Sequence, residues 1–118
     1  MNIIFGDTVE QVRKTHTVLE LDTFKVMPSE QVVTSYCVID NLPLAEFPRL
    51  EANKAIHQQL IEQYRQQNWE FCRSALHSLR GCWNGEMDTF YQHLSLRIDE
   101  YSANPPGADW TGIIIKEQ

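Results

Sequence analysis

From Arg49 to Gln67 the apolar residues Leu50, Ala52, Ile56, Leu60 and Tyr64 recur mostly at four-residue steps, with Gln58, Gln59, Glu62, Gln63 and Gln66 between them. That spacing predicts one amphipathic helix with a glutamine-rich face turned to solvent. Asn68 can cap a second helix, folded back on the first, which buries Trp69, Cys72, Leu76 and Leu79 and ends at Gly81. Cys82-Trp83-Asn84-Gly85 forms a turn, and Asn84 is placed to cap a third helix. Glu86 and Asp88 favour the positive end of that helix, and Met87, Phe90, Tyr91, Leu94, Ile98 and Tyr101 make its core face. It stops at Asn104-Pro105-Pro106, leaving a loop through Trp110 and an apolar Ile113-Ile114-Ile115 that reads as a short strand or a docked tail.

Upstream, the period changes to two. Thr17 to Val26 alternates as a half-buried strand does, with Leu19 and Leu21 out of phase with Phe24 and Val26, so a bulge near Asp22-Thr23 is expected. Met27-Pro28-Ser29-Glu30 supplies a turn, and the β-branched and aromatic run Gln31 to Ile39 is the return strand. A lone hairpin is barely stable in water, and Asn2 to Phe5 and Ile113 to Ile115 are the strands available to extend it. Between them, Asp7 and Glu10 fit a capping box that starts a short helix over Thr8 to Lys14.

The fold class expected is α+β: a β-hairpin or small antiparallel sheet packed against three antiparallel helices. The 118 residues suffice for a single domain that buries its core without disulfides or metal. Within it, residues 1–40 form the strand-rich segment, 44–103 the three helices and 104–118 a proline-containing tail.

Composition narrows the partners. A net charge of −6 with ten scattered basic residues argues against direct nucleic-acid binding, which needs clustered Lys and Arg. An acidic surface suits docking onto a basic partner. No apolar run approaches the roughly 18 residues of a membrane span, and the N-terminus does not read as a secretory signal, so the cytoplasm is expected. Cys37, Cys72 and Cys82 share no CxxC spacing and leave an odd thiol, which favours reduced cysteines over a disulfide framework.

Residue by residue, no reaction centre emerges. Cys72, His77 and Cys82 are spaced five apart, which on a helix rotates each away from the last, so no metal and no cofactor are expected. Cys72 falls on a core face, where a thiol acts as a small hydrophobe. Nothing in the spacing forces Asp22 towards Asp40, and Asp99-Glu100 reads as a solvated pair. The five glycines fit no phosphate-binding loop. Trp83, in a turn, and Trp110, after Asp109, are candidate anchors for a protein partner, since exposed tryptophan is an interface residue. The alternative for Trp110 is that it folds back over the helix pair to close the core.

The ordered combination Tyr64-Arg65, Asn68-Trp69 and Pro105-Pro106-Gly107-Ala108-Asp109-Trp110-Thr111-Gly112, with the hairpin of Thr17 to Ile39, resembles the segment that follows the catalytic domain in many bacterial class III adenylate cyclases. In that family a closing hairpin leads into a helix pair of tetratricopeptide character and a Pro-Pro…Asp-Trp tail. The family's metal-binding aspartates and transition-state residues lie upstream of this hairpin, so no cyclase residue carries over. The resemblance implies an accessory module without a catalytic role.

Together these readings lead to a non-enzymatic protein-interaction or regulatory module, acting through its helical face or the end carrying Trp83, Asp109 and Trp110. Its partners would be another protein and a second copy of itself. A different class is also open: a small-molecule or nucleotide binder with a pocket between sheet and helices lined by Tyr36, His57, Tyr64 and His93, or a small viral or mobile-element inhibitor of a host factor.

Overall fold

A computed structural model describes residues 1–40 and 42–117. The architecture is α+β, a mixed sheet and a set of helices, and the chain divides into two compact units, Met1–Asp40 with Gly112–Gln118, and Asn41–Thr111.

The first unit is a four-stranded sheet in the order β1-β3-β2-β4, made of β1 (Asn2–Phe5), β2 (Thr17–Met27), β3 (Gln31–Ile39) and β4 (Ile114–Glu117). The β2–β3 hairpin forms as its alternation predicts, and both spare strands join it. β1 pairs antiparallel with β3, but β4 runs parallel to β2, so the expected antiparallel sheet is mixed. A parallel neighbour requires a long crossover, and residues 40–113 between hairpin and tail supply one.

The two phases of β2 are reconciled by a register shift between Glu20 and Thr23. Leu19 then lies opposite Cys37 and Phe24 opposite Val33, which puts both on one face. The Ser35 hydroxyl donates to the Asp22 carbonyl at 3.0 Å, and the Thr23 and Thr34 hydroxyls meet at 2.9 Å, so the irregularity is hydrogen-bonded from the neighbouring strand.

α1 (Val9–Arg13) follows a 3-10 turn at Gly6–Thr8. The expected Asp7/Glu10 capping box does not form, because Asp7 lies inside that preceding turn. Thr8 instead donates its hydroxyl to the Phe5 carbonyl at 3.1 Å, and Glu10 pairs with Arg13 at 3.6 Å. α1 packs on β2, with Val9 buried and the Arg13 guanidinium 6.0 Å from the centre of the Tyr36 ring.

The second unit holds α2 (Leu50–Arg65), α3 (Trp69–Leu79) and α4 (Asp88–Ala103), with 3-10 turns at Leu44–Arg49 and Trp83–Gly85. Asn68 caps α3 as expected, accepting the Phe71 amide at 3.4 Å, while its own amide donates to Gln63 at 2.9 Å. Leu60, Cys72, Leu79, Met87, Leu94 and Ile98 are fully buried, the stripes predicted from the sequence. Asn84 does not cap α4: it sits in the turn with φ 55°, four residues before the helix starts. α4 has no side-chain cap at its N-terminus, and its Asp88 carboxylate accepts the Gly81 amide at 3.0 Å.

Candidate functional site

Alternation along the strands puts Ile3 and Phe5 of β1, Gln31, Val33 and Ser35 of β3, Phe24 and Val26 of β2, and Lys116 of β4 on one face of the sheet. Leu19 and Cys37, on that face, are closed from solvent. Towards the turn end the face opens into a groove of about 500 Å³ whose walls are those eight side chains. Ile3 is 51% and Phe5 54% exposed, so the rim on the β1 side is apolar and reachable. Lys116 lies at the opposite rim with its ammonium 5.0 Å from the centre of the Phe24 ring, a cation–π contact. The Ser35 hydroxyl already donates to Asp22, so the groove offers mainly hydrocarbon, with the Gln31 amide and the one positive charge of Lys116. Such a surface favours another apolar surface over a polar substrate.

The sequence shows none of this directly. Ile3 and Phe5 lie far along the chain from Phe24 and Val33, and only the pairing of β1 with β3 joins them.

Trp83, expected as an exposed anchor, is only 1% exposed. Its indole N–H donates to the Tyr91 hydroxyl at 3.0 Å, and the same hydroxyl lies 2.9 Å from Nδ1 of the buried His57. Its backbone is fixed by Glu46: Oε1 accepts the Trp83 amide at 2.7 Å, and Oε2 the Asn84 amide at 2.9 Å. Two successive amides converging on one carboxylate form an anion-holding nest, which the chain fills itself. It accompanies left-handed backbone at Trp83 (φ 60°), Asn84 (φ 55°) and Gly85 (φ 78°). A bulky residue in that region is uncommon and has to be held there by its surroundings.

Trp110 is half-buried in a cluster of rings, its centre 5.1 Å from Tyr64, 5.7 Å from Trp69 and 5.0 Å from Tyr101. Gln67 donates its side-chain amide to the Gly107 carbonyl, tying the tail to the α2–α3 junction. Asp109, beside Trp110, is exposed.

The residues expected to line a pocket lie in separate settings. Tyr36 is on β3 beneath Arg13, His57 is buried against Tyr91, Tyr64 is in the ring cluster, and His93 is exposed on α4. None of the four lines the sheet groove, nor a second groove of about 380 Å³ between α3 and α4 bounded by Leu76, Arg80, Asp88, Tyr91, Gln92, Ser95 and Leu96.

The groups considered for chemistry are separately engaged. Asp40 accepts from Asn2 at 2.8 Å and meets His16 at 3.2 Å, and Asp99 pairs with Arg73 at 3.5 Å. Burial pushes the Cys72 thiol up to about 11, with Arg73 opposing, and the thiol faces the Leu60 carbonyl at 3.8 Å. Cys82 is also raised, first by burial, then by the Glu46 carboxylate, with Arg49 opposing. Both shifts run opposite to the lowering that activates a thiolate nucleophile. Among the described residues no three His, Cys, Asp or Glu side chains converge as metal ligands would, and no helix is long and apolar enough to cross a membrane. No protein-family model, no curated protein and no solved structure matches this chain.

Proposed function

We propose that the chain is a protein-interaction module without catalytic chemistry of its own, and that its partner seats on the open end of the sheet face. The supporting observation is the apolar groove lined by Ile3, Phe5, Phe24, Val26 and Val33, with Ile3 and Phe5 half in solvent. Contiguous exposed hydrocarbon costs solubility, and in soluble proteins larger patches of this kind mark contact surfaces. With Trp83 buried and Trp110 packed among rings, the exposed hydrocarbon of Ile3 and Phe5 supports the sheet face over the tryptophan end as the contact surface. The lone Lys116 at the rim suits a partner segment with a carboxylate beside its apolar residues.

The test is capture of a partner from host lysate by wild type and by three folded variants: Phe5→Glu and Val33→Glu in the groove, and Leu96→Glu in the α3–α4 groove. The reading expects a partner held by wild type and Leu96→Glu and lost by both groove variants. A partner lost only with Leu96→Glu would move the surface to the helices, and no partner for any bait would remove the reading.

A further inference from the structure

The two edges of the sheet differ in a way that bears on self-association. β4 carries Lys116 and Glu117 on successive residues of its edge. Charged side chains there are the usual guard against pairing with a neighbouring chain. β1, on the other edge, runs Asn-Ile-Ile-Phe, with no charge, no proline and no register break against β3. The strand order ends at β1, so alternate residues turn an N–H and a C=O outward with no ladder partner from the sheet.

We propose that β1 is a strand-addition edge whose occupant is β1 of a second copy of this chain, paired antiparallel about a two-fold axis through Ile4. With Ile4 on the axis, Ile3 falls opposite the second copy's Phe5, and Phe5 opposite its Ile3. These residues share the groove face, so the two apolar grooves run into one another and each half-exposed ring gains an aliphatic cross-strand neighbour. Any other register sharing the face leaves Ile3 or Phe5 opposite its own kind or beyond the strand end. The two-fold sets the backbone of Ile3 opposite that of the second copy's Phe5, whose carbonyl also accepts the Thr8 hydroxyl at 3.1 Å.

Charge permits the contact despite −6 on each chain. Met1 to Gly6 contains no charged side chain, and the first acid is Asp7. Asp40, which accepts from Asn2 at 2.8 Å, meets its own His16 at 3.2 Å. In the proposed register the two Asp7 residues fall at opposite ends of the pair, about 20 Å apart along the strands at about 3.4 Å per residue. That is more than twice the screening length of about 8 Å at physiological ionic strength. A four-residue edge buries less than the roughly 1,200–2,000 Å² of a stable interface, so the association is weak and concentration-dependent.

Self-association needs no heterologous partner, so the purified chain alone tests it. Sedimentation equilibrium of wild type from low micromolar to millimolar concentration should show mass rising from one chain towards two. Ile3→Lys and Phe5→Glu should each raise the dissociation constant roughly tenfold or more by leaving a charge against hydrocarbon. Mixing the two variants should restore dimer, since one of the paired sites then sets the Ile3→Lys side chain opposite the Phe5→Glu side chain, and the other sets Phe5 opposite Ile3. Both positions are about half exposed, and circular dichroism of each variant checks that it is folded. A single-chain mass at all concentrations, or a dimer indifferent to both variants, would overturn the proposal. So would failure of the mixture to associate better than either variant.

Discussion

Replacing Glu46 by alanine removes the acceptor of two successive amides in the turn at Trp83–Gly85 while leaving every core side chain in place. The Trp83 amide is part-buried and bonded at 2.7 Å to a charged oxygen. A hydrogen bond to a charged group contributes about 1.5–3 kcal/mol, and a donor left buried without an acceptor costs a similar amount. The Asn84 amide is exposed and can turn to water, so its loss adds only a few tenths. The backbone also stops being held where Trp83 and Asn84 have φ of 60° and 55°. Such conformations cost about 1–3 kcal/mol each and persist only when the surroundings impose them. Glu46→Ala should therefore destabilise the protein by about 2–4 kcal/mol, and Glu46→Gln, which keeps one acceptor oxygen, by about half of that.

Urea unfolding followed by near-ultraviolet circular dichroism reads both the midpoint and the setting of the buried Trp83. At about 4 °C per kcal/mol for a chain of this size, Tm should fall by roughly 8–16 °C for the alanine variant. The order wild type, then Glu46→Gln, then Glu46→Ala is the specific expectation. If the alanine variant unfolded within about 0.5 kcal/mol of wild type, as an inert surface substitution does, the carboxylate would not be what holds this turn.

Other expectations follow from the same geometry. Trp110→Ala removes a half-buried ring from contact with Tyr64, Trp69 and Tyr101 and should cost about 2 kcal/mol by thermal unfolding, below the range for a fully buried tryptophan. Native-state thiol labelling should modify Cys82 before Cys37 and Cys72, which are buried and should react only on unfolding. The Cys72 thiol, held at about 11 against an ordinary 9.0, favours the folded state while it is neutral. That contribution is complete below the unfolded value and is lost as pH rises from about 9 towards 11, so the urea midpoint should fall across that window, and less so in Cys72→Ala. Gly81→Ala meets no neighbour but forces a side chain to φ 79°, at a cost of about 1–2 kcal/mol, whereas Gly6→Ala, equally open and without that constraint, should be neutral or slightly stabilising.

What the sequence made legible follows from how local each signal was. The helical stripes from Leu50 to Tyr101 and the hairpin from Thr17 to Ile39 are written within one or two turns or a few alternating residues, and the phase change in β2 announced the irregularity at Asp22-Thr23. Caps were legible only in part. Asn68 does what its type predicts, while Asp7 and Asn84 are drawn into turns, because a 3-10 turn precedes each helix and moves its start past them. The direction of β4 was not legible, since the short run Ile113 to Ile115 fits either orientation and only the course of the intervening chain decides it.

The candidate site was the least legible part, for a related reason. Trp83 was read as exposed because it stands in a turn, yet a tryptophan held in left-handed backbone by a carboxylate 37 residues away can point its ring into the core. The groove needs residues from four strands, one of them at each end of the chain. Large apolar side chains gathered in that way, and left half in water, are consistent with a contact surface; residues serving only a buried core would be expected to lose that exposure on folding. Ile3 and Phe5 are therefore the positions where stability and function should separate: polar substitution there should leave the unfolding midpoint nearly unchanged while weakening association about tenfold or more.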